Sequence, residues 1–76
     1  MLNLTQSNSG CAYTIKKLDG NTRFISRITS VGLTTGGTLT VIRNTKKMPI
    51  LLYSRDTILA VNRTEAANIY LEVDEK

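Results

Sequence analysis

The sequence predicts a mostly β domain: a small, strongly bent antiparallel barrel of about five short strands. One α-helix follows the first strand and a short helix precedes the last. Three observations predict this. Apolar residues alternate in short runs bounded by turn residues, which is the pattern of strands with one buried face. A single internal segment switches to helical period. The chain has 76 residues, 41% of them hydrophobic and 21% charged, with 5% aromatic and no Trp. That length suits one domain with an aliphatic core, burying about 60% of its unfolded surface.

Residues 1–10 are polar apart from Met1, Leu2 and Leu4, and are expected to form an edge strand or to fray. Gly10 marks a turn. From Cys11 to Leu18 the residues alternate as in a strand with one buried face, with Cys11, Tyr13 and Ile15 facing one way and Ala12, Thr14 and Lys16 the other, until Lys17 breaks the period; Cys11 is expected as a small core or edge residue. Asp19-Gly20-Asn21 is a turn. Asn21 or Thr22 caps a helix over residues 22–31, whose apolar stripe is Phe24, Ile28 and Val31 with Ile25 beside it. Gly32 follows as the left-handed residue that ends the helix.

A loop with the double glycine Gly36-Gly37 leads to a β-branched strand, Thr38 to Thr45, with Leu39 and Val41 on one face and Thr38, Thr40 and Ile42 on the other. Asn44 to Pro49 is a polar, basic hairpin loop, and Ile50 to Tyr53 is the returning strand. Residues 54–57 turn into a strand from Ile58 to Val61. Asn62 and Glu65 have capping-box spacing, so Ala66, Ala67 and Ile69 are expected in a turn or two of helix. Tyr70 to Val73 closes the order as a strand, and residues 74–76 form an acidic tail. No segment repeats at a fixed period.

Composition excludes several chemistries. The chain has no His and one Cys, Cys11. It therefore has no Ser-His-Asp triad, no Cys-His pair, no imidazole or thiolate metal cluster and no internal disulfide. Gly36-Gly37 lacks the Lys-Ser/Thr of a phosphate-binding loop and opens no helix. No catalytic residue, cofactor or metal site is expected. A small domain without disulfides and without a leader-like apolar stretch is expected in a reducing cytoplasm.

At Arg27-Ile28-Thr29-Ser30-Val31-Gly32-Leu33, followed by Gly36-Gly37-Thr38-Leu39-Thr40-Val41, the sequence resembles the FeoA family of bacterial ferrous-iron uptake. Pro49-Ile50, Ile58-Leu59-Ala60-Val61, Ala66-Ala67-Asn68-Ile69 and Tyr70-Leu71-Glu72-Val73 match the family's later marks in order, so the resemblance runs from about residue 11 to 73. Three loop positions depart from it. Thr35 stands where Pro usually precedes the loop Gly, Lys46-Lys47-Met48 replaces the usual Gly-Gly before Pro49, and Asp56 sits where Gly is frequent.

The resemblance implies an SH3-like barrel acting as a cytoplasmic accessory or regulatory protein. Its implied partner is FeoB, the membrane permease with a cytosolic GTP-binding domain, so membrane contact would be indirect. The same barrel occurs at the C-terminus of metal-dependent repressors. With no helix-turn-helix region in front of it, the free-standing protein is the better match, and nucleic acid is not the expected partner.

Charge suggests where contact would fall. Lys and Arg number 10 against 6 Asp and Glu, giving +4, and half of the acids lie at Glu72, Asp74 and Glu75. The body is thus more basic than the net charge. This basic surface either meets an acidic partner, an anionic membrane face or nucleic acid, or simply keeps the domain soluble. Arg23 and Arg27 share a helical face at i, i+4. Lys46, Lys47, Met48 and Pro49 are the preferred docking point, because an exposed Met beside a rigid Pro offers adaptable apolar contact. The sequence leaves the oligomeric state open, although short exposed strand edges can pair into a homo-oligomer.

Overall fold

The computed structural model describes residues 1–73. The expected acidic tail, residues 74–76, lies outside them. The chain forms a six-stranded antiparallel sheet: β1 (Leu2–Asn3), β2 (Ala12–Leu18), β3 (Thr38–Arg43), β4 (Ile50–Ser54), β5 (Thr57–Val61) and β6 (Ile69–Val73). Helix α1 (Thr22–Ser30) follows β2, and the single-turn α2 (Arg63–Ala66) precedes β6. The strand order is β1-β6-β2-β3-β4-β5. The sixth strand is the short β1, followed at once by a 3-10 turn, Leu4–Gln6. The ladder ends at β1 on one side and β5 on the other, so the bent sheet keeps two edges and is not a closed barrel.

Alternation puts one face of every long strand into a common core. Tyr13 and Ile15 of β2, Leu39 and Val41 of β3, Ile50 and Leu52 of β4, and Ile69 and Leu71 of β6 are all buried. Val61, Ile28, Leu33, Ala66 and Leu4 complete the cluster. Side chains on successive strand residues point to opposite faces, so this inward set leaves Thr38, Thr40 and Tyr53 outside. The break at Lys17 is a β-bulge: Ile15 pairs with Leu71 and Lys17 with Tyr70, leaving Lys16 as the extra residue. A second bulge in β3 leaves Ile42 as the extra residue between Val41 and Arg43, and turns its side chain to solvent.

Helix α1 starts on the expected cap, with the Asn21 Oδ1 accepting from the Phe24 N–H at 2.8 Å. It ends in a Schellman arrangement. Leu33 N–H donates to Ile28 C=O at 3.1 Å and Gly32 N–H to Thr29 C=O at 3.0 Å, with Gly32 at φ +108°. This geometry corrects the expected stripe. Val31 is the C-terminal capping residue and is 45% exposed, while Leu33, beyond the glycine, is fully buried against the helix end. A hydrophobic contact across the αL residue is the usual companion of this motif.

Two further expectations are corrected, and of the two outcomes expected for residues 1–10 the edge strand is present as β1. Cys11 is exposed and precedes β2, because the chain is still leaving the Gly10 turn there and holds β3 through its backbone alone, Val41 N–H to Cys11 C=O at 2.9 Å. Ile69 belongs to β6, paired with Leu18, because α2 is only one turn long. The N-terminal decapeptide is tied down through its own caps. Asn3 and Gln6 form a reciprocal capping box, and buried Ser7 donates its hydroxyl to Leu4 C=O at 2.7 Å. Buried Tyr13 accepts at its hydroxyl from the Asn8 N–H at 2.8 Å, so its polar tip has a partner.

Candidate partner-binding surface

The loop between β3 and β4 has a fixed base and an exposed tip. Its base is Asn44, whose side-chain amide donates to Ser7 C=O at 2.8 Å and Thr5 C=O at 3.1 Å. The Asn44 N–H donates to Ser9 Oγ at 3.0 Å. Arg63, at the start of α2, clamps the other side. Its guanidinium donates to Asn44 Oδ1 at 2.8 Å, Thr45 C=O at 3.1 Å, Met48 C=O at 3.2 Å and Thr5 C=O at 3.4 Å. Arginine suits this place because its planar fork carries several donors in fixed directions.

The tip is a turn closed by Met48 N–H to Thr45 C=O at 3.1 Å, with Lys47 at φ +67°. A left-handed backbone costs a lysine about 1–2 kcal/mol, which the clamped base sustains. Lys46, Lys47, Met48 and Pro49 are all exposed, Met48 by 49%. The tip thus presents two ammonium groups and a thioether on a backbone held by side chains from elsewhere in the chain.

Arg23 is exposed on the first turn of α1. Arg27, one turn further along, forms an ion pair with Glu65 of α2 and lies 6.0 Å over the Phe24 ring. The expected capping box at Asn62 is therefore half made. Asn62 Oδ1 accepts from the Glu65 N–H at 2.8 Å, while the Glu65 carboxylate is engaged by Arg27. Helix α2 touches both basic regions, the hairpin loop through Arg63 and α1 through Glu65.

The ion pairs among the described residues are Lys16–Glu72 at 3.6 Å and Arg27–Glu65. Arg23, Arg43, Lys46, Lys47 and Arg55 have no carboxylate partner among those residues. Their fields add over the exposed surface. An open cleft of 280 Å³ lies between β3 and the β4–β5 turn, lined by Ala12, Thr38, Leu39, Thr40, Tyr53, Ser54 and Arg55. Tyr53 at its rim donates to Asp56 Oδ1 at 2.7 Å, and that hydrogen bond, with a little desolvation, raises the phenol above its ordinary pKa. The cleft holds no acid–base pair. No group of three or more His, Cys, Asp or Glu side chains suited to a metal ion occurs among the described residues. Among the described residues, no helix is long and apolar enough to cross a membrane.

The FeoA domain model matches residues 2–73. The chain belongs to the FeoA family. No curated protein matches it. Among solved structures it is similar to the iron uptake regulatory protein FeoA, with 20% identity, TM-score 0.87 and coverage of 92% of this chain and 93% of that one. It is also similar to the FeoA protein of Chlorobium tepidum, with 23% identity, TM-score 0.85 and coverage of 97% and 74%. The manganese-activated repressor ScaR in its apo form gives 18% identity, TM-score 0.86 and coverage of 96% of this chain but 35% of that one. These likenesses show a shared SH3-like fold.

In this FeoA domain the departures noted in the hairpin have a structural form. Lys47 occupies a left-handed position that a glycine would take without strain, and Asp56 does the same in the next turn at φ +63°. Sequence reasoning placed Lys46–Pro49 in the hairpin loop but missed the clamp. Asn44 and Arg63 are separated by 19 residues, and Arg63 and Thr5 by 58. No local pattern links them, although a polar Asn at a strand end beside an Arg at a helix start is the kind of pair that such a loop needs.

Proposed function

We propose that this FeoA domain is an accessory subunit that binds the cytosolic, GTP-binding part of the FeoB ferrous-iron permease and modulates its transport or nucleotide turnover. The observation that carries this reading is the Lys46–Pro49 tip: cationic, apolar at Met48, exposed, and held by the Asn44–Arg63 clamp. A surface ordered before contact loses less entropy on binding, and unpaired lysines favour an acidic face on the partner. Arg23 extends the cationic surface on α1. Arg27 joins it only by exchanging Glu65 for a partner carboxylate. Iron is the cargo of the permease in this reading, and the chain's own donor set, carboxylates and Cys11, is a poor one for holding it.

The test is a titration of the permease's cytosolic region with the full chain, followed by a GTPase assay. Binding that is lost on Lys47→Glu together with Met48→Ala, with the melting temperature unchanged, supports the reading. Undiminished binding by that variant overturns the assignment of the tip. Equal and steeply salt-dependent affinity for duplex DNA would instead support a nucleic-acid role, since counterion release dominates such binding.

A further inference from the structure

Strand β5 is an edge, and it lacks the devices that keep edges apart. Thr57-Ile58-Leu59-Ala60-Val61 has no charged residue and no Pro, and it pairs with β4 without a bulge. Natural edges are normally blunted by one of these. The opposite edge, β1, is only two residues long.

The register specifies which backbone groups are free. The β4–β5 turn is the two-residue Arg55-Asp56, both at positive φ (53° and 63°), the form that closes a tight hairpin. Ser54 and Thr57 are then a hydrogen-bonded pair, and alternation makes Leu52–Leu59 and Ile50–Val61 the next such pairs. Ile58 and Ala60 fall between them and aim their N–H and C=O groups away from β4. Among the described residues no turn or loop backbone group pairs with these two. Their side chains share the outer face, with Ile58 64% exposed beside Tyr53 at 42%.

We propose that β5 pairs antiparallel with β5 of a second copy of this chain, about a two-fold axis at Leu59. Ile58 of one copy then lies opposite Ala60 of the other, and the four free N–H and four free C=O groups of the two edges meet in register. A large side chain faces a small one at both pairs, and Tyr53 and Ile58 of one copy continue into Ala60 and Leu51 of the other as one outer row. Shifting the register by two residues either way sets Ala60 against the Asp56 turn or Ile58 against Asn62, both outside the strand. One strand from each side buries well under the about 1,200 Å² of a stable complex, so the dimer is weak and driven by concentration. Each copy carries +4, so added salt screens the repulsion and strengthens the dimer, opposite to the salt effect on docking to an acidic partner.

The test is sedimentation equilibrium and amide NMR on the full chain over a series reaching millimolar concentration. The expected result is a rise toward dimer mass, shift changes centred on Ile58 and Ala60, and slower exchange of those two amides as concentration increases. Ile58→Lys lowers the association constant at least tenfold with an unchanged melting temperature, and Ala60→Lys does the same. A monomer throughout, a dimer whose shifts map to residues 44–49 or β1, or protection of Ile58 and Ala60 that is independent of concentration overturns the proposal.

Discussion

The Arg63 guanidinium donates to the Asn44 side-chain oxygen at 2.8 Å while the Asn44 amide nitrogen donates to Ser7 C=O at 2.8 Å. Through this relay the N-terminal segment, the β3–β4 loop and α2 are held by two side chains. Removing one member leaves half-buried acceptors without donors, at about 1–3 kcal/mol. Asn44→Ala is therefore expected to lower the melting temperature by several degrees, as measured by calorimetry. Faster amide exchange at Asn8 and at residues 45–48 should accompany it. Arg63→Lys should recover little, because an ammonium cannot span the same acceptors.

Lys46→Ala with Lys47→Ala is expected to leave the fold intact and weaken binding to an acidic partner. Both side chains are exposed. Lys47 also leaves the left-handed region awkwardly filled, so Lys47→Gly should not destabilise, its lost strain offsetting the extra freedom of the unfolded chain. Thermal melts of the two variants, beside an affinity titration, check both statements.

The Arg27–Glu65 pair is a surface ion pair, with the arginine side chain 54% exposed and the glutamate 26%. A double-mutant cycle with alanine at both positions should give a coupling of about 0–1 kcal/mol. Screening should reduce it in high salt. If Arg27 also contacts a partner, Arg27→Ala lowers affinity while Glu65→Ala leaves it equal or raises it.

Tyr53 should titrate above the ordinary tyrosine value of 10.0, first because of its hydrogen bond to Asp56 and second because of desolvation. The folded-state pKa is raised, so the hydrogen bond's contribution is fully present below the unfolded value and is lost as pH rises through the folded one. Absorbance titration of the phenol in Asp56→Asn should move that midpoint back down. A midpoint unaffected by the substitution would remove Asp56 as the cause.

Leu52 is fully buried at the centre of β4. Leu52→Ala is expected to cost about 2–5 kcal/mol through lost transfer energy and the cavity left behind. For a domain this small that is a large share of total stability. Denaturant titration should show a transition close to the start of the curve.

Each element with a periodic signal was legible from residue types alone. The alternation of Tyr13 with Ile15 and of Leu39 with Val41 marked inward faces, and Asn21 and Gly32 marked both ends of α1. The failures share one cause. Cys11, Val31 and Ile69 each sit at an element boundary, where a residue's period no longer says which way it points. There the backbone turn decides, and a Schellman glycine or a single-turn helix redirects the next side chain.

Residue types and their spacing specify a mostly β fold with an aliphatic core, no imidazole chemistry and a polar, basic hairpin. These follow from composition and short-range spacing, which survive any arrangement of the elements. Packing of the elements settles that α2 holds the hairpin through Arg63 and α1 through Glu65, and that β1 and β5 remain edges. Those relationships join residues 15 to 58 positions apart. They exist only once packing brings the donors and acceptors within hydrogen-bond reach.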